Sequence, residues 1–106
     1  MDAITQPVAP PHLETSDMIP ILVTTKHRGV FYGLVPEDSD LTQTTMALTG
    51  ARMAIRWGTT GGVAQLAESG PTNNSRIGSR ADLPALHDIT AVWSVTPKAQ
   101  AKWESA

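Results

Sequence analysis

Hydrophobic and polar residues alternate in several short stretches of this chain, and a period of two predicts β-strands. The stretches are rich in β-branched residues and are separated by turn-forming residues. They cover residues 19–25, 30–35, 41–49, 51–57, 83–86 and 89–95. Short strands that follow one another closely favour antiparallel pairing. The pattern therefore predicts a β-rich fold of the α+β class, a small antiparallel barrel or rolled sheet of five to six strands with a short inserted helix and a C-terminal helix.

The clearest alternation lies in the stretch 51–57. Its two faces are Met53, Ile55 and Trp57 on one side and Arg52, Ala54 and Arg56 on the other. We interpret the arginine face as solvent-exposed, with an acidic oligomer interface and a pocket as the two alternatives. Arg52 and Arg56 thus form a possible secondary basic face.

Three further strand features bear on the sheet. The stretch 41–49 is polar, which is typical of an edge strand or a solvated face. Gly33 indicates a bulge or the close approach of another backbone. In the stretch 89–95, a period of two places the apolar residues on one face, namely Ile89, Ala91, Trp93 and Val95.

A short helix is predicted at residues 63–68. Thr60 is the expected N-cap, since threonine accepts hydrogen bonds from the first free N–H groups of a helix. Gly70 is expected in the left-handed conformation that commonly ends a helix, and Pro71 prevents its continuation.

A second helix is predicted from Pro97 to Glu104. Thr96 followed by Pro97 is the sequence of an N-cap and a proline at the first helical position. Trp103 is expected to dock this helix on the core.

The chain of 106 residues is long enough for one domain. Residues 1–17 contain three prolines and few large apolar groups, so we expect a flexible tail there and a single domain at 18–106. The N-terminus lacks the features of a secretory signal, and no apolar run approaches the length of a membrane span. The absence of cysteine fits a reducing cytoplasm.

The stretch from Gly50 to Ser79 contains the candidate binding site. A glycine-rich turn leads directly into the first helix, and free N–H groups at such a point suit an anion. The turn residues are Thr59, Thr60, Gly61, Gly62 and Val63. A polar loop follows, and its proposed ligand-binding residues are Asn74, Ser75, Arg76 and Arg80, because guanidinium groups suit carboxylates and phosphates. An ordinary strand-to-helix connection and a solvated loop are the structural alternatives.

No motif of catalysis or metal binding is present. The three histidines lack metal-ligand spacing, and the serines lack a nucleophile elbow. The sequence therefore favours a protein without enzymatic activity, metal or cofactor.

Four strings of residues occur in a specific order, at 24–31 (TTKHRGVF), 51–58 (ARMAIRWG), 61–71 and 75–78 (SRIG). Together they resemble a family of small, functionally uncharacterised bacteriophage and prophage proteins, over about residues 21–95. The resemblance implies a viral or prophage origin and expression in the host cytoplasm. It implies no activity and no site residues.

These observations lead to one functional hypothesis and two alternatives. The hypothesis is a homo-oligomeric phage accessory protein that binds a small anionic ligand and sequesters a nucleotide signal. Self-association is expected because several strands carry apolar residues on both faces. The first alternative is an interaction protein that binds a host or virion protein through a sheet face. The second, an RNA-binding ring, is disfavoured by the net charge of −2 unless Lys26, Arg28, Arg52 and Arg56 gather on one rim.

Overall fold

An antiparallel sheet with two short helices packed on one of its faces forms the fold. The structure is a computed structural model that describes residues 18–26, 28–57, 62–73 and 75–106. Within these ranges its elements are β1 (Met18–Thr25), β2 (Val30–Pro36), β3 (Met46–Arg56), α1 (Gly62–Glu68), β4 (Arg76–Ile77), β5 (Ala81–Leu86), β6 (Ile89–Ser94) and α2 (Pro97–Ser105). The β-rich class and both helices are confirmed. The predicted tail at 1–17 lies outside the described residues.

The strand order in the sheet is β4-β3-β2-β1-β6, and β5 also pairs with β3. All of these pairs are antiparallel. Arg76 lies opposite Arg56, Ala81 opposite Ala51, and Leu86 opposite Met46. Strands β4 and β5 therefore follow one another along the edge of β3 that faces away from β2.

The two outer edges of the sheet meet at one corner. β5 and β6 lie at opposite edges, although only His87 and Asp88 separate them in sequence. At this corner the Lys26 N–H donates to the Asp88 carbonyl at 2.9 Å, and the Ile89 N–H donates to the Thr44 carbonyl at 3.0 Å. In the described chain β5 and β6 do not pair with each other, so the sheet bends toward closure without forming a closed barrel.

Apolar side chains fill both faces of the sheet. The helix-side cluster lies between the sheet and the helices, and its largest buried members are Trp103, Tyr32, Leu22 and Leu66. The opposite cluster includes Ile21, Val23, Val35 and Leu48. Ile21, Leu22 and Val23 are consecutive and alternate between the clusters, as a strand requires. β1 is therefore buried on both faces at the centre of the sheet.

A single strand, β3, replaces the two strands predicted at 41–49 and 51–57. Gly50 does not end the strand, because its positive φ of 58° fits the irregular pairing between Leu48 and Ala51. Its N–H donates to the Asp82 carboxylate at 2.8 Å, so it keeps a hydrogen-bond partner. Of the two alternatives predicted for 41–49, the edge strand is wrong, since β3 has neighbours on both sides. The solvated face agrees with the exposure of residues 41–45, Ala47 and Thr49.

The predicted common face of the last strand is also wrong. Ile89 packs in the opposite cluster, whereas Trp93 and Val95 pack against the helix-side cluster. The cause is a bulge: Thr24 lies opposite Ala91 while Thr25 lies opposite Ile89, so one extra residue reverses the alternation.

Gly33 lies where β2 and β3 approach closely. The pairing shifts between Tyr32 and Leu34, and a Cβ at position 33 would come within 2.8 Å of the Leu48 Cβ. Of the two predicted alternatives, the bulge is confirmed, and the atoms that approach position 33 belong to the side chain of Leu48 rather than to a backbone.

The local signals that begin α2 and end α1 are confirmed as well. Thr96 caps α2, with its Oγ1 accepting the Ala99 N–H at 3.1 Å, and Pro97 follows. Gly70 has a φ of 85° after the last residue of α1. Thr60, the N-cap expected for α1, lies outside the described residues.

Candidate functional site

An open groove runs between α2 and the segment 69–75, of which the structure describes residues 69–73 and 75. This segment connects α1 to β4. Its larger part has a volume of about 480 Å³ and contains the hydroxyl groups of Thr72 and Ser75 together with Lys102. A smaller part of about 260 Å³ adjoins it and contains Ser69 and Lys98. Thr72, Asn73 and Lys102 line both parts. The groove thus combines neutral hydrogen-bonding groups with two ammonium groups.

Gly70 fixes the distance between the two walls of the groove. The N–H groups of Ser69 and Gly70 donate to the Gln65 carbonyl at 2.8 and 3.2 Å, which completes the end of α1. A Cβ at position 70 would lie 2.5 Å from the Lys102 Cβ and 3.1 Å from the Ala99 carbonyl oxygen. Only a glycine lets this segment lie directly against the stem of Lys102.

Thr96 joins the start of α2 to the end of α1. Its hydroxyl donates to the Glu68 carbonyl at 2.5 Å, and its N–H donates to the Ala67 carbonyl at 3.1 Å. These carbonyls belong to the last turn of α1, which has no partners of its own for them. The two helices are therefore held in one arrangement at this end of the groove.

Trp103 holds α2 against the core at the other end. Its side chain is fully buried, and its Nε1–H donates to the Leu66 carbonyl at 3.1 Å. The predicted docking of α2 through Trp103 is confirmed. Because Trp103 follows Lys102, this anchor also determines where Lys102 leaves the helix.

Two lysines supply the charged side chains that are found among the described residues lining the groove. Lys98 and Lys102 are one helical turn apart, so their side chains leave α2 on the same face. In the described part of the chain, neither ammonium group has an ion-pair or hydrogen-bond partner. Among the residues that the structure describes, no carboxylate side chain lines either part of the groove. The arrangement suits a phosphate or carboxylate, which both ammonium and hydroxyl groups can bind.

The structure places one of the predicted binding residues, Ser75, in this groove. Its Oγ lies 3.3 Å from the Thr72 Oγ1. Gly62 begins α1 with a φ of 72°, and Val63 packs against the helix-side cluster. The remaining predicted residues of the turn and loop lie outside the described residues, namely Thr59, Thr60, Gly61 and Asn74.

The two predicted loop arginines are not among the residues that line the groove. Arg76 is exposed in β4, opposite Arg56 of β3. The Arg80 guanidinium is bound at the end of α2, where it donates to the Glu104 carboxylate at 2.5 Å and to the Glu104 carbonyl at 3.2 Å. Arg76 directly follows Ser75 in the chain, but of these three residues only Ser75 lines the groove.

The exposure predicted for the arginine face of β3 is correct for Arg56 and wrong for Arg52. Only 9% of Arg52 is exposed. Its guanidinium donates to the carbonyls of Gly78 at 3.0 Å, Trp103 at 2.9 Å and Ala106 at 2.5 Å. The last carbonyls of a helix lack partners and attract cations, so Arg52 caps the C-terminus of α2.

Glu104 links β2 to the same helix end. Its second carboxylate oxygen accepts the hydroxyl of Tyr32 at 2.5 Å. Burial raises the pKa of Tyr32, and the hydrogen bond to Glu104 and its negative charge raise it further. Tyr32 is thus a neutral donor to a carboxylate that Arg80 also holds.

Sequence reasoning missed Lys98 and Lys102. A four-residue spacing of lysines in the predicted helix 97–104 was a usable signal, since it places both on one face. The sequence did not indicate that this face lies opposite the segment 69–75.

A family comparison identifies most of the chain, residues 18–103, as a domain of unknown function, DUF6948. The chain belongs to this family. No curated protein and no solved structure shows a significant match. In the described ranges no helix combines the length and apolar character needed to cross a bilayer. The phage origin implied by the resemblance stays a prediction.

Proposed function

We propose that this member of the DUF6948 family is a non-enzymatic binding protein that holds a small anionic ligand in the groove between α2 and the segment 69–75. One observation carries the proposal: in the described part of the chain, the ammonium groups of Lys98 and Lys102 have no partner, and no carboxylate side chain lines the polar groove beside them. Opposite charge and hydroxyl donors are the means by which proteins bind phosphates and carboxylates.

A phosphate-bearing small molecule is the ligand class that we assign. The groove volume of about 480 Å³ falls in the range of small-molecule sites. Compact ammonium groups bind phosphates as point charges, and the hydroxyls of Thr72 and Ser75 supply directed hydrogen bonds. A mononucleotide is the specific candidate, consistent with a role in sequestering a nucleotide signal in a phage-infected host.

Isothermal titration calorimetry of the full chain tests this function against inorganic phosphate, pyrophosphate and a panel of mononucleotides. We expect one of them to bind and its affinity to fall as salt rises, because exposed charges are screened. The Lys98→Gln, Lys102→Gln double variant is expected to bind at least about tenfold more weakly.

Lys26→Gln is the matched control, since Lys26 is an exposed lysine in the turn after β1. It is expected to bind as the unmodified chain does. Absence of binding across the panel contradicts the function. If the double variant binds with the same affinity as the unmodified chain, the site is contradicted. If Arg76→Gln loses binding, the ligand binds at the arginine loop instead.

An interaction protein is the second candidate function. Met53 and Ile55 on β3 are 43% and 52% exposed, unusual for large apolar side chains in the middle of a sheet. RNA binding gains no such support. The RNA-binding hypothesis needs Arg52 to lie on a basic rim with other cations. In the structure, the Arg52 guanidinium is buried at the end of α2 instead.

A further inference from the structure

In the part of the chain that the structure describes, the outer edge of β6 lacks the features that protect an edge strand from pairing. Unpaired N–H and C=O groups along an edge are open to another strand unless proline, charge or a covering element prevents it. β6 contains neither proline nor a charged residue. The opposite edge carries Pro84 in β5 and Arg76 in β4. Of the two edges, only β6 is suited to pair with a further strand.

The available part of this edge is five residues long. The Ile89 N–H, which points away from β1, donates to the Thr44 carbonyl at 3.0 Å. Beyond this contact, no described strand pairs with the outer edge of β6. The segment 41–44 and β6 border an open slot of about 360 Å³ instead. The free edge therefore spans residues 90–94, with Val92 at its centre.

The wall of the slot formed by residues 41–44 is held in place by Asp40. The Asp40 carboxylate accepts the Thr42 N–H at 2.9 Å and the Gln43 side-chain amide at 2.8 Å. None of the described residues that line the slot is charged, and Leu41 on its wall is 39% exposed. An uncharged strand is the occupant that such a slot accepts without stranding a charge.

We propose that this edge pairs with the same edge of a second copy, β6 against β6, antiparallel about a two-fold axis at Val92. In a two-fold interface the same strand of both subunits forms the contact. If that strand carried charged residues, like charges would lie close to one another across the interface. The uncharged β6 avoids this repulsion. In this pairing Thr90 lies opposite Ser94 of the partner subunit.

The predicted association is weak and reversible. Five residues from each strand bury much less surface than a stable dimer interface requires. We therefore expect a monomer–dimer equilibrium in the micromolar range, in which the mass rises with concentration from that of an 11.3 kDa monomer. This inference is independent of the anion groove, which lies beside α2.

Two double variants test the pairing in sedimentation experiments over a range of concentrations. Thr90→Lys, Ser94→Lys places lysines opposite one another across the two-fold axis and is expected to be monomeric throughout. Thr90→Lys, Ser94→Glu places each lysine opposite a glutamate and is expected to dimerise. Both variants lose the hydrogen bond between the hydroxyls of Thr90 and Thr24, so their difference reports the interface alone.

Ala81→Lys on the exposed outer strand β5 is the control and is expected to dimerise normally. Thermal unfolding checks that each variant folds. A wild-type chain that stays monomeric at every concentration overturns the proposal, as does equal association of the two double variants. Open-ended growth into fibres would show head-to-tail pairing of β6 with another edge and would overturn the two-fold arrangement.

Discussion

The phenol ring of Tyr32 lies parallel to the indole of Trp103, with ring centroids 5.3 Å apart and an interplanar angle of 6°. Both side chains are fully buried. Their polar atoms form hydrogen bonds with different helices. The Tyr32 hydroxyl donates to Glu104 at the end of α2, and the Trp103 Nε1–H donates to the Leu66 carbonyl in α1. The stacked pair therefore joins the sheet to both helices that border the anion groove.

Tyr32 is expected to ionise only at a pH well above the range in which tyrosine usually ionises. Burial and Glu104 raise its pKa, so the folded state holds the phenol proton more tightly than the unfolded state. Folding stability is thus expected to be unaffected below about pH 10 and to fall as the pH rises above it. Tyr32 is the only tyrosine in the chain, so absorbance at the phenolate band reports it alone.

Denaturant provides the control for this titration. The unfolded chain should ionise at about pH 10, the value of a free tyrosine. A folded chain that ionises at the same pH would contradict the buried hydrogen bond to Glu104.

Arg52→Met is expected to destabilise the fold by about 2–4 kcal/mol. The substitution keeps most of the apolar stem and removes the donors for three backbone carbonyls, two of them at the end of α2. Urea unfolding measures the change. Arg56→Met on the same strand is the matched control, because Arg56 is exposed, and should shift stability by no more than about 0.5 kcal/mol. Equal effects would contradict the capping role of Arg52.

Gly70→Ala is expected to destabilise the fold more than Gly62→Ala. Both glycines have positive φ, at 85° and 72°, so both variants incur a backbone cost of about 1–2 kcal/mol. Only the new Cβ at position 70 meets the stem of Lys102, whereas a Cβ at position 62 would have no described atom beyond its own helix backbone and chain neighbours within 4 Å. The difference between the two melting temperatures measures this close contact. No difference would mean that the segment 69–75 can move away from α2.

The segment 41–44 is expected to loosen only in strong acid. Hydrogen bonds from the Thr42 hydroxyl and N–H, and then from Gln43, lower the pKa of Asp40 to about 2. A carboxylate with a lowered pKa contributes its full stabilisation above about pH 4 and loses it as the pH falls toward 2. The Thr42 amide proton in NMR spectra should titrate with this pKa. The amide should lose its acid titration in Asp40→Asn, and titration near pH 4 in the unmodified chain would contradict the hydrogen bonds.

Features that depend on neighbouring residues could be predicted from the sequence. Thr96 and Pro97 specify a helix start through their own torsions and hydrogen bonds, and Gly70 ends a helix for the same reason. The alternation of β3 was also correct. The prediction of which face is buried was wrong, because the three acceptors of Arg52 belong to residues 26, 51 and 54 positions later in the chain. A sheet face with two arginines carries no local sign of such acceptors.

In the candidate site, too, local features could be predicted from the sequence, whereas contacts between distant residues could not. The polar segment 72–80 and the lysine spacing in α2 are both visible in the sequence, yet their juxtaposition depends on the contacts of Gly70 and Thr96. Arg80 illustrates the converse error. Its type suits an anionic ligand, and the anion that it contacts in this fold is Glu104 of the same chain.

The position of β1 between β2 and β6 has a consequence for the order of folding. β1 can pair with β2 early, since a short turn joins them, but β6 begins 64 residues after the end of β1. Contacts between distant segments form slowly, because closing a long loop costs chain entropy first. On the ribosome, Ile21 and Val23 must therefore wait for nearly the whole domain to emerge before β6 covers the free edge of their strand. Until then one edge of the apolar strand β1 is unpaired and exposed in the nascent chain, and chaperones are expected to bind mainly to this strand.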